Sequence, residues 1–236
     1  MITPKSTTRG LAGTAKILLL ALVPCLAGGP GAWAGPALIK EKGCDACHRF
    51  SPRDAATPES ARGPDLFYAG NKFREKWLVE FLHKPAVVRK AGYITDPGFL
   101  EGKPEAPPHV AAPLDEAKTL AGYLTTLKLP GIEEPAGDID PLSKGNRAKV
   151  KILFERNYGC SACHETINLA GKIHGGVSGP SLVDAGNRLT AGWVSRWLKD
   201  PKLFLEKGRM PAFKLDDETA AQLVKYILSM KKENLK

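Results

Sequence analysis

The sequence predicts an all-α protein built from two tandem helical domains, and three observations support this prediction. Sliding the chain by 116 residues aligns its halves without a gap from Gly43/Gly159 to Pro85/Pro201, which indicates a duplicated unit. The pentapeptide C-x-x-C-H occurs once in each half. Apolar residues recur at helical spacing in several segments, and we find no convincing strand pattern.

The helices are expected in the same order in each half. Residues 144–158 predict a helix that leads into the second pentapeptide, whereas the corresponding segment of the first half, 36–42, is much shorter. Residues 72–84 and 188–199 predict an equivalent pair of helices, and each ends just before a proline.

A last helix is predicted at the end of each half. The first spans residues 115–127, and the second begins at a cap supplied by Asp216 or Asp217. Each has one apolar face, formed by Ala117, Leu120, Ala121 and Leu124 in the first half and by Ala220, Leu223, Val224, Ile227 and Leu228 in the second.

The two pentapeptides, C-D-A-C-H at 44–48 and C-S-A-C-H at 160–164, predict two covalently bound haem c groups. In such a motif the two thiols form thioether bonds to the haem, and the adjacent histidine binds the iron. A zinc site or a thioredoxin-like C-x-x-C is disfavoured, because a histidine follows each pair directly and no βαβ pattern is present. The residues predicted to hold the haems are Cys44, Cys47 and His48, and Cys160, Cys163 and His164.

The first 34 residues have the pattern of a cleaved export signal. A basic region without acidic residues precedes an apolar run, 17–27, that is too short to span a bilayer, and Ala32-Trp33-Ala34 offers small residues for cleavage after Ala34. We therefore predict a periplasmic protein, and a retained membrane anchor is the alternative. The four cysteines that remain all belong to the pentapeptides, which leaves no thiol for a structural disulfide.

Removal of residues 1–34 leaves two predicted domains, 35–129 and 144–236, joined by an acidic linker at 130–143 that is rich in proline and glycine. The full chain has a formal net charge of +9, and residues 144–236 alone carry +8. A basic face there favours an acidic redox partner, although a solvated surface explains the charge equally well. Nothing resembles a nucleic-acid groove, and no other apolar run is long enough to cross a membrane.

This arrangement resembles the class I cytochrome c family, twice over. In that family a Gly-Pro-x-Leu segment packs beside the proximal imidazole, and its proline carbonyl accepts the imidazole N–H. The resemblance gives this part to Pro64 and Pro180. It also implies that a tryptophan in each half contacts a haem propionate, with an asparagine as helper, although ordinary core packing explains the tryptophans equally well; these residues are Trp77 and Asn71, and Trp193 and Asn187.

The sixth iron ligand is predicted to differ between the halves. Met210 precedes the last helix, where the family usually places its methionine ligand, whereas residues 35–129 contain no methionine. The first half has an insertion of 15 residues after Pro85, beyond which the alignment resumes with a shift of 101 and sets His109 on Met210. We therefore predict His48 and His109 on the first iron, and His164 and Met210 on the second.

Two alternatives remain open for the first iron. His83 could reach it if the insertion folds that way, or the iron could lack a sixth protein ligand, with His109 nearby in the distal pocket. His174, ten residues after the second proximal histidine, is expected in an exposed loop.

The ligand sets predict an electron-transfer protein rather than an enzyme. A methionine ligand raises the reduction potential relative to a second imidazole, so the second haem is expected at the higher potential. Two six-coordinate irons leave no position for a substrate, which favours a relay between redox partner proteins, either free or as the cytochrome subunit of an oxidoreductase complex. The alternatives are a diheme redox enzyme with a catalytic first haem, resembling a peroxidase or acting on inorganic sulfur or nitrogen compounds, and a haem-based gas sensor.

Overall fold

The computed structural model describes residue 1 and residues 31–57, 62–92, 109–135, 139–206 and 208–236. Most of the predicted export signal and most of the first-domain insertion lie outside the described residues. The predicted cleavage point after Ala34 falls within the first described helix. None of the described helices is long and apolar enough to cross a membrane.

The first half contains four described helices and a 3-10 turn at the first pentapeptide. In chain order these are α1 (Gly31–Glu41), the 3-10 turn Cys44–Ala46, α2 (Ala69–Lys72), α3 (Glu75–His83) and α4 (Leu114–Thr126).

The second half repeats this order and adds a hairpin. Its elements are α5 (Lys144–Ile152), which continues into a π-helical turn at Leu153–Asn157, the 3-10 turn Cys160–Ala162, β1 (Glu165–Ile167), β2 (Ile173–Gly175), α6 (Ala185–Arg188), α7 (Ala191–Lys199), a 3-10 turn at Pro201–Leu203, α8 (Asp217–Leu228) and a 3-10 turn at Lys232–Asn234.

The hairpin corrects the all-α prediction. Strands β1 and β2 pair antiparallel, with Ile167 opposite Ile173 and Thr166 opposite His174. Each strand has three residues, so neither is long enough to show the alternation of apolar and polar residues by which strands are recognised. The fold is otherwise helical in the described residues, as predicted.

The predicted ends and faces of the last helices are confirmed. Asp216 caps α8, because its carboxylate accepts the backbone N–H of Thr219 at 2.7 Å. The apolar residues predicted for both last helices are all buried. These faces pack into a core that draws on both halves of the chain, since Leu78 and Leu124 belong to the same buried cluster as Val150 and Leu223.

A smaller cluster belongs to the first half alone. There Ile39 of α1 packs with Ala117 and Leu120 of α4. Helix α1 approaches α4 closely, since a Cβ at Gly35 would collide with the side chain of Tyr123.

Equivalent residues of the two halves pair with each other at the interface. Phe73 forms an isolated antiparallel bridge with Leu189, its counterpart under the 116-residue shift. The backbone N–H of Arg74 donates to the Arg188 carbonyl at 2.9 Å, and that of Thr190 donates to the Lys72 carbonyl at 3.1 Å. The 116-residue shift converts one of these bonds into the other. Each half therefore contributes the same surface to the interface, as the two subunits of an isologous dimer do.

Part of the predicted linker is bound to the second half. The Glu134 carboxylate accepts the backbone N–H groups of Ala191 and Gly192 at 3.1 Å and 2.9 Å. An acidic side chain is favourable at this position because the first N–H groups of helix α7 have no partner within the helix. The linker thus supplies an end cap, which its composition did not predict.

The Gly-Asn pair of each half lies against the end of that half's last helix. The Gly186 N–H donates to the Met230 carbonyl at 2.8 Å, and a Cβ at Gly186 would collide with the Leu228 carbonyl. In the first half the Gly70 N–H donates to the Leu127 carbonyl at 2.8 Å. Both positions require glycine because another backbone occupies the space of a side chain.

This contact predicts the effect of adding one methyl group. Gly186→Ala should lower the free energy of unfolding by about 1–3 kcal/mol, because overpacking against a rigid carbonyl forces the backbone to move. Gly122→Ala is the matched control, since a Cβ at Gly122 in α4 meets open space and should stabilise the helix by about 0.5–1 kcal/mol. Denaturant unfolding of the holoprotein measures both, and equal effects of the two variants would contradict the account.

Candidate haem sites

Each pentapeptide folds as a local turn that brings its cysteines and its histidine together. The turns follow Gly43 and Gly159, whose φ angles of 64° and 62° lie in the left-handed region that favours glycine. The backbone N–H of His48 donates to the Cys44 carbonyl at 3.1 Å, and the same bond recurs in the second half. None of the four cysteines of these motifs is in a disulfide, so each thiol can form a thioether bond.

The proximal histidines are held in one tautomer by a proline carbonyl. The Nδ1 atom of His48 lies 2.7 Å from the Pro64 oxygen, and that of His164 lies 2.7 Å from the Pro180 oxygen. Because a carbonyl only accepts hydrogen bonds, Nδ1 must carry the proton, which leaves the Nε2 lone pair free for a metal. Burial lowers the pKa of both imidazoles, and the proline carbonyls partly oppose that shift.

The glycine before each of these prolines is required by the imidazole itself. A Cβ at Gly63 would collide with the His48 ring, and a Cβ at Gly179 would lie 2.5 Å from the His164 ring. Only glycine lets the backbone approach closely enough for the next residue's carbonyl to accept the imidazole proton. The Gly-Pro pairs therefore place the proximal ligands sterically as well as by hydrogen bonding.

His109 faces His48 across a gap that suits one metal ion. The ring centres are 6.1 Å apart with an angle of 55° between the planes. Imidazole nitrogens bind metals at about 2.0–2.1 Å, so two imidazoles on opposite sides of one ion have ring centres about 6 Å apart. The Nδ1 atom of His109 lies 2.9 Å from the Val110 carbonyl oxygen, so this ring also has Nε2 free. The described residues of the first half thus fit a haem iron held by two histidines.

The other two histidines have different surroundings. His83 ends α3, and its Nδ1 lies 3.0 Å from the Ala112 carbonyl oxygen. This contact fastens the segment after the insertion to α3. His174 lies in the hairpin, with Nε2 3.0 Å from Thr166 Oγ1 and 3.3 Å from the carboxylate of Glu155. Of the two histidines considered for the first iron, His83 and His109, it is His109 whose ring contacts that of His48.

Met210 is half-buried and is held by a tryptophan of helix α7. The indole N–H of Trp197 donates to the Met210 sulfur at 2.9 Å. In the first half the counterpart of Trp197 is Phe81, whose ring centre lies 4.9 Å from that of His109. The same helix position therefore contacts the candidate sixth ligand in both halves, which supports the alignment of His109 with Met210.

The two candidate propionate tryptophans pack crosswise, each against the opposite half. Trp77 donates its indole N–H to the Asp184 carboxylate at 3.0 Å and lies under the Arg188 guanidinium at 5.8 Å. Trp193 stacks on Tyr68 with ring centres 4.6 Å apart. Tyr68 is the counterpart of Asp184 in the repeat, so the two arrangements mirror each other.

Two cations lie at the same interface and were not identified from the sequence. Arg188 is buried and pairs with Asp184 at 3.2 Å. Its counterpart Lys72 is half-buried, and burial together with the Arg188 charge lowers the pKa of Lys72 to about 7. Lys72 lies 5.2 Å from the Trp193 ring, and among the described residues no carboxylate lies within ion-pair distance of it. An anionic group such as a haem propionate suits this position.

The asparagines predicted as propionate helpers have backbone partners. The Asn71 amide donates to the Leu129 and Ile132 carbonyls at 3.2 Å and accepts the Leu129 N–H at 2.7 Å. Asn187 accepts the backbone N–H of Lys232 at 2.9 Å. Both therefore fasten the chain that follows the last helix of their own half, and a haem role for them stays a prediction.

Comparison with known proteins gives a family match in the second half of the chain. Residues 148–231 match the family model described as Cytochrome c. This span contains the second pentapeptide, Pro180, Trp193 and Met210. No curated protein and no solved structure matches the chain. The family implies covalently bound haem c and supports an electron-transfer haem protein, so the match supports a c-type cytochrome.

Proposed function

We propose that the protein is a periplasmic diheme cytochrome c that transfers electrons between redox partner proteins, either free or as the cytochrome subunit of an oxidoreductase complex. The observation that carries the proposal is the repetition of the proximal site. The hydrogen bond from imidazole to proline carbonyl measures 2.7 Å in the half that matches the family and also in the half that does not. This repetition supports a haem site in the first half as well as in the second.

Each half supplies a complete set of haem-binding residues in this proposal. A bound haem provides a one-electron couple, and the protein sets its potential and its orientation. The thioether bonds come from Cys44 and Cys47 in the first half and from Cys160 and Cys163 in the second. The iron ligands are His48 and His109 in the first half, and His164 and Met210 in the second.

The crosswise interface supports transfer between the two sites within one chain. Trp77 and Trp193 each lie against residues of the opposite half. The buried Arg188 and the half-buried Lys72 lie beside them. Their close packing fixes the two halves relative to each other, which keeps any distance between bound cofactors constant. A fixed distance is what an intramolecular relay requires.

The net charge of the second half supports an acidic redox partner, and the pattern of the first 34 residues supports a periplasmic location. The second half carries most of the net positive charge, so an acidic partner would be attracted with a rate that falls as salt rises. Cytochrome c domains are commonly extracellular or periplasmic, which agrees with the export pattern of the first 34 residues.

The number of haems is tested directly by mass. The holoprotein should carry two covalently bound haems per chain, measured by intact mass spectrometry together with haem absorbance per mole of protein. Replacing both Cys44 and Cys47 with Ala should leave one haem, and the same change at Cys160 and Cys163 is the matched control, which should also leave one. A single haem in the unmodified protein, retained when Cys44 and Cys47 are replaced, would contradict the proposal.

The sixth ligand of the first haem is tested by exchange for the residue that the second half uses. His109→Met should raise the potential of the first haem, because a thioether favours Fe(II) relative to an imidazole. His83→Met is the matched control and should leave that potential unchanged. Potentiometric titration with optical detection measures the potential of the first haem in both variants. If that potential rises in His83→Met and stays unchanged in His109→Met, the ligand is His83.

A further inference from the structure

In the first half an ion pair joins the residue after the proximal histidine to the residue after its proline. Arg49 follows His48, and Asp65 follows Pro64. The Arg49 side chain donates two hydrogen bonds to the Asp65 carboxylate, and the one from Nε measures 2.7 Å. Two parallel bonds between a guanidinium and a carboxylate fix the geometry of both groups. The pair therefore fastens together the two chain segments that form the imidazole–proline hydrogen bond.

The second half cannot form this ion pair from its own residues. The 116-residue shift sets Glu165 on Arg49 and Ser181 on Asp65, and a carboxylate and a hydroxyl do not make an ion pair. The backbone is arranged alike in both halves, since the carbonyl of the residue after the histidine accepts an N–H at 2.8 Å in the first and at 2.9 Å in the second. The Glu165 side chain is only 9% exposed, so its charge requires a partner.

The partners of both residues come from the first half. The Lys90 ammonium donates to the Glu165 carboxylate at 2.6 Å. The backbone N–H of Ser181 donates to the Val88 carbonyl at 2.7 Å. Both partners belong to residues 86–92, at the start of the first-half insertion, which we call the strap. The strap thus reaches the two positions of the second half that the ion pair joins in the first.

We propose that the strap of the first half positions the proximal histidine of the second haem, with the Lys90–Glu165 ion pair as its main contact. This inference rests on the proposed haem at the second site. Lys90 is a positioning residue, since it acts on His164 through the next residue in the chain and not by contact with the iron.

The ion pair also sets the charge beside the second haem. Glu165 directly follows an iron ligand, and an unpaired negative charge there would stabilise the oxidised iron, which carries the greater positive charge. Because the carboxylate is buried, water screens it little. Lys90 neutralises this charge and so raises the potential of the second haem.

The second site therefore includes residues from outside its own half. The span that matches the family, 148–231, contains Glu165 and Ser181, whereas the strap belongs to the first half. The potential of the second haem thus depends on how the two halves pack. The first haem has no such dependence, because Arg49 and Asp65 lie in the same half as the iron ligand that they support.

The test is the substitution Lys90→Ala in the holoprotein, with the potentials of both haems measured by potentiometric titration. The potential of the second haem should fall by about 28–59 mV, which is a threefold to tenfold change in its redox equilibrium at 59 mV per tenfold for one electron. The potential of the first haem should stay unchanged. The variant in which Cys44 and Cys47 are replaced by Ala identifies which potential belongs to the second haem.

Lys232→Ala is the matched control. Lys232 forms another ion pair between the halves, with Glu80 at 2.8 Å, and its side chain is 54% exposed against 53% for Lys90. The control removes the same charge and an ion pair between the same halves, but it leaves the neighbours of His164 untouched, so the second potential should not change. Equal shifts in the two variants would assign the effect to net charge and overturn the proposal.

Two further backgrounds separate the ion pair from the charge of Lys90 itself. Replacing Glu165 with Arg and Ser181 with Asp gives the second half the ion pair of the first, and Glu165→Gln is a milder change that removes the partner of Lys90. In either background Lys90→Ala should no longer lower the second potential. A fall as large as in the unmodified protein would show that Lys90 acts without Glu165, and would overturn the proposal.

Counting the haems by intact mass separates this inference from the proposed function. If the second pentapeptide carries no haem, the proposed function fails and the role of the strap fails with it. If both haems are bound and Lys90→Ala behaves as Lys232→Ala does, the proposed function stands and the role of the strap alone is overturned.

Discussion

The hydrogen bond between each proximal imidazole and a proline carbonyl is the interaction on which the candidate sites depend. It fixes the proton on Nδ1 and so directs Nε2 toward the place where a metal would lie. The bond is possible only because Gly63 and Gly179 leave room for the backbone beside the ring. The turn that carries the cysteines is short and local, and this bond connects it to the rest of its half together with the backbone bonds from Gly63 to Cys47 and from Gly179 to Cys163.

The two halves of the molecule are alike around the proximal histidines and differ at the candidate sixth ligands. Their interface keeps the symmetry of the repeat, from the Phe73–Leu189 bridge to the crosswise tryptophans. The candidate sixth ligands break this symmetry. In the first half the residue is His109, whose ring faces that of His48. In the second half it is Met210, whose sulfur accepts a hydrogen bond from the indole N–H of Trp197. Two sites held rigidly together but tuned separately suit a protein that passes electrons in one direction.

Features within one helix or one motif could be predicted from the sequence, whereas contacts between the halves could not. The apolar faces of α4 and α8 and the Asp216 cap follow from spacing and residue type. The Glu134 cap on α7 and the crosswise tryptophans bring together residues that are 57 and 107 positions apart, and no local pattern signals such pairs. Lys72 offered a usable clue, because a cation recurs at residue 188, its position in the repeat.

In the proposed relay protein side chains occupy the sixth position of both irons, and carbon monoxide binding tests this most directly. Carbon monoxide takes open sixth positions on Fe(II) and leaves firmly ligated ones alone, so a difference spectrum of the fully reduced holoprotein at neutral pH reports on both sites. We expect no binding at either haem on mixing. Rapid, tight binding at the first haem would show that His109 does not close it, and would favour the redox enzyme or the gas sensor over the electron relay.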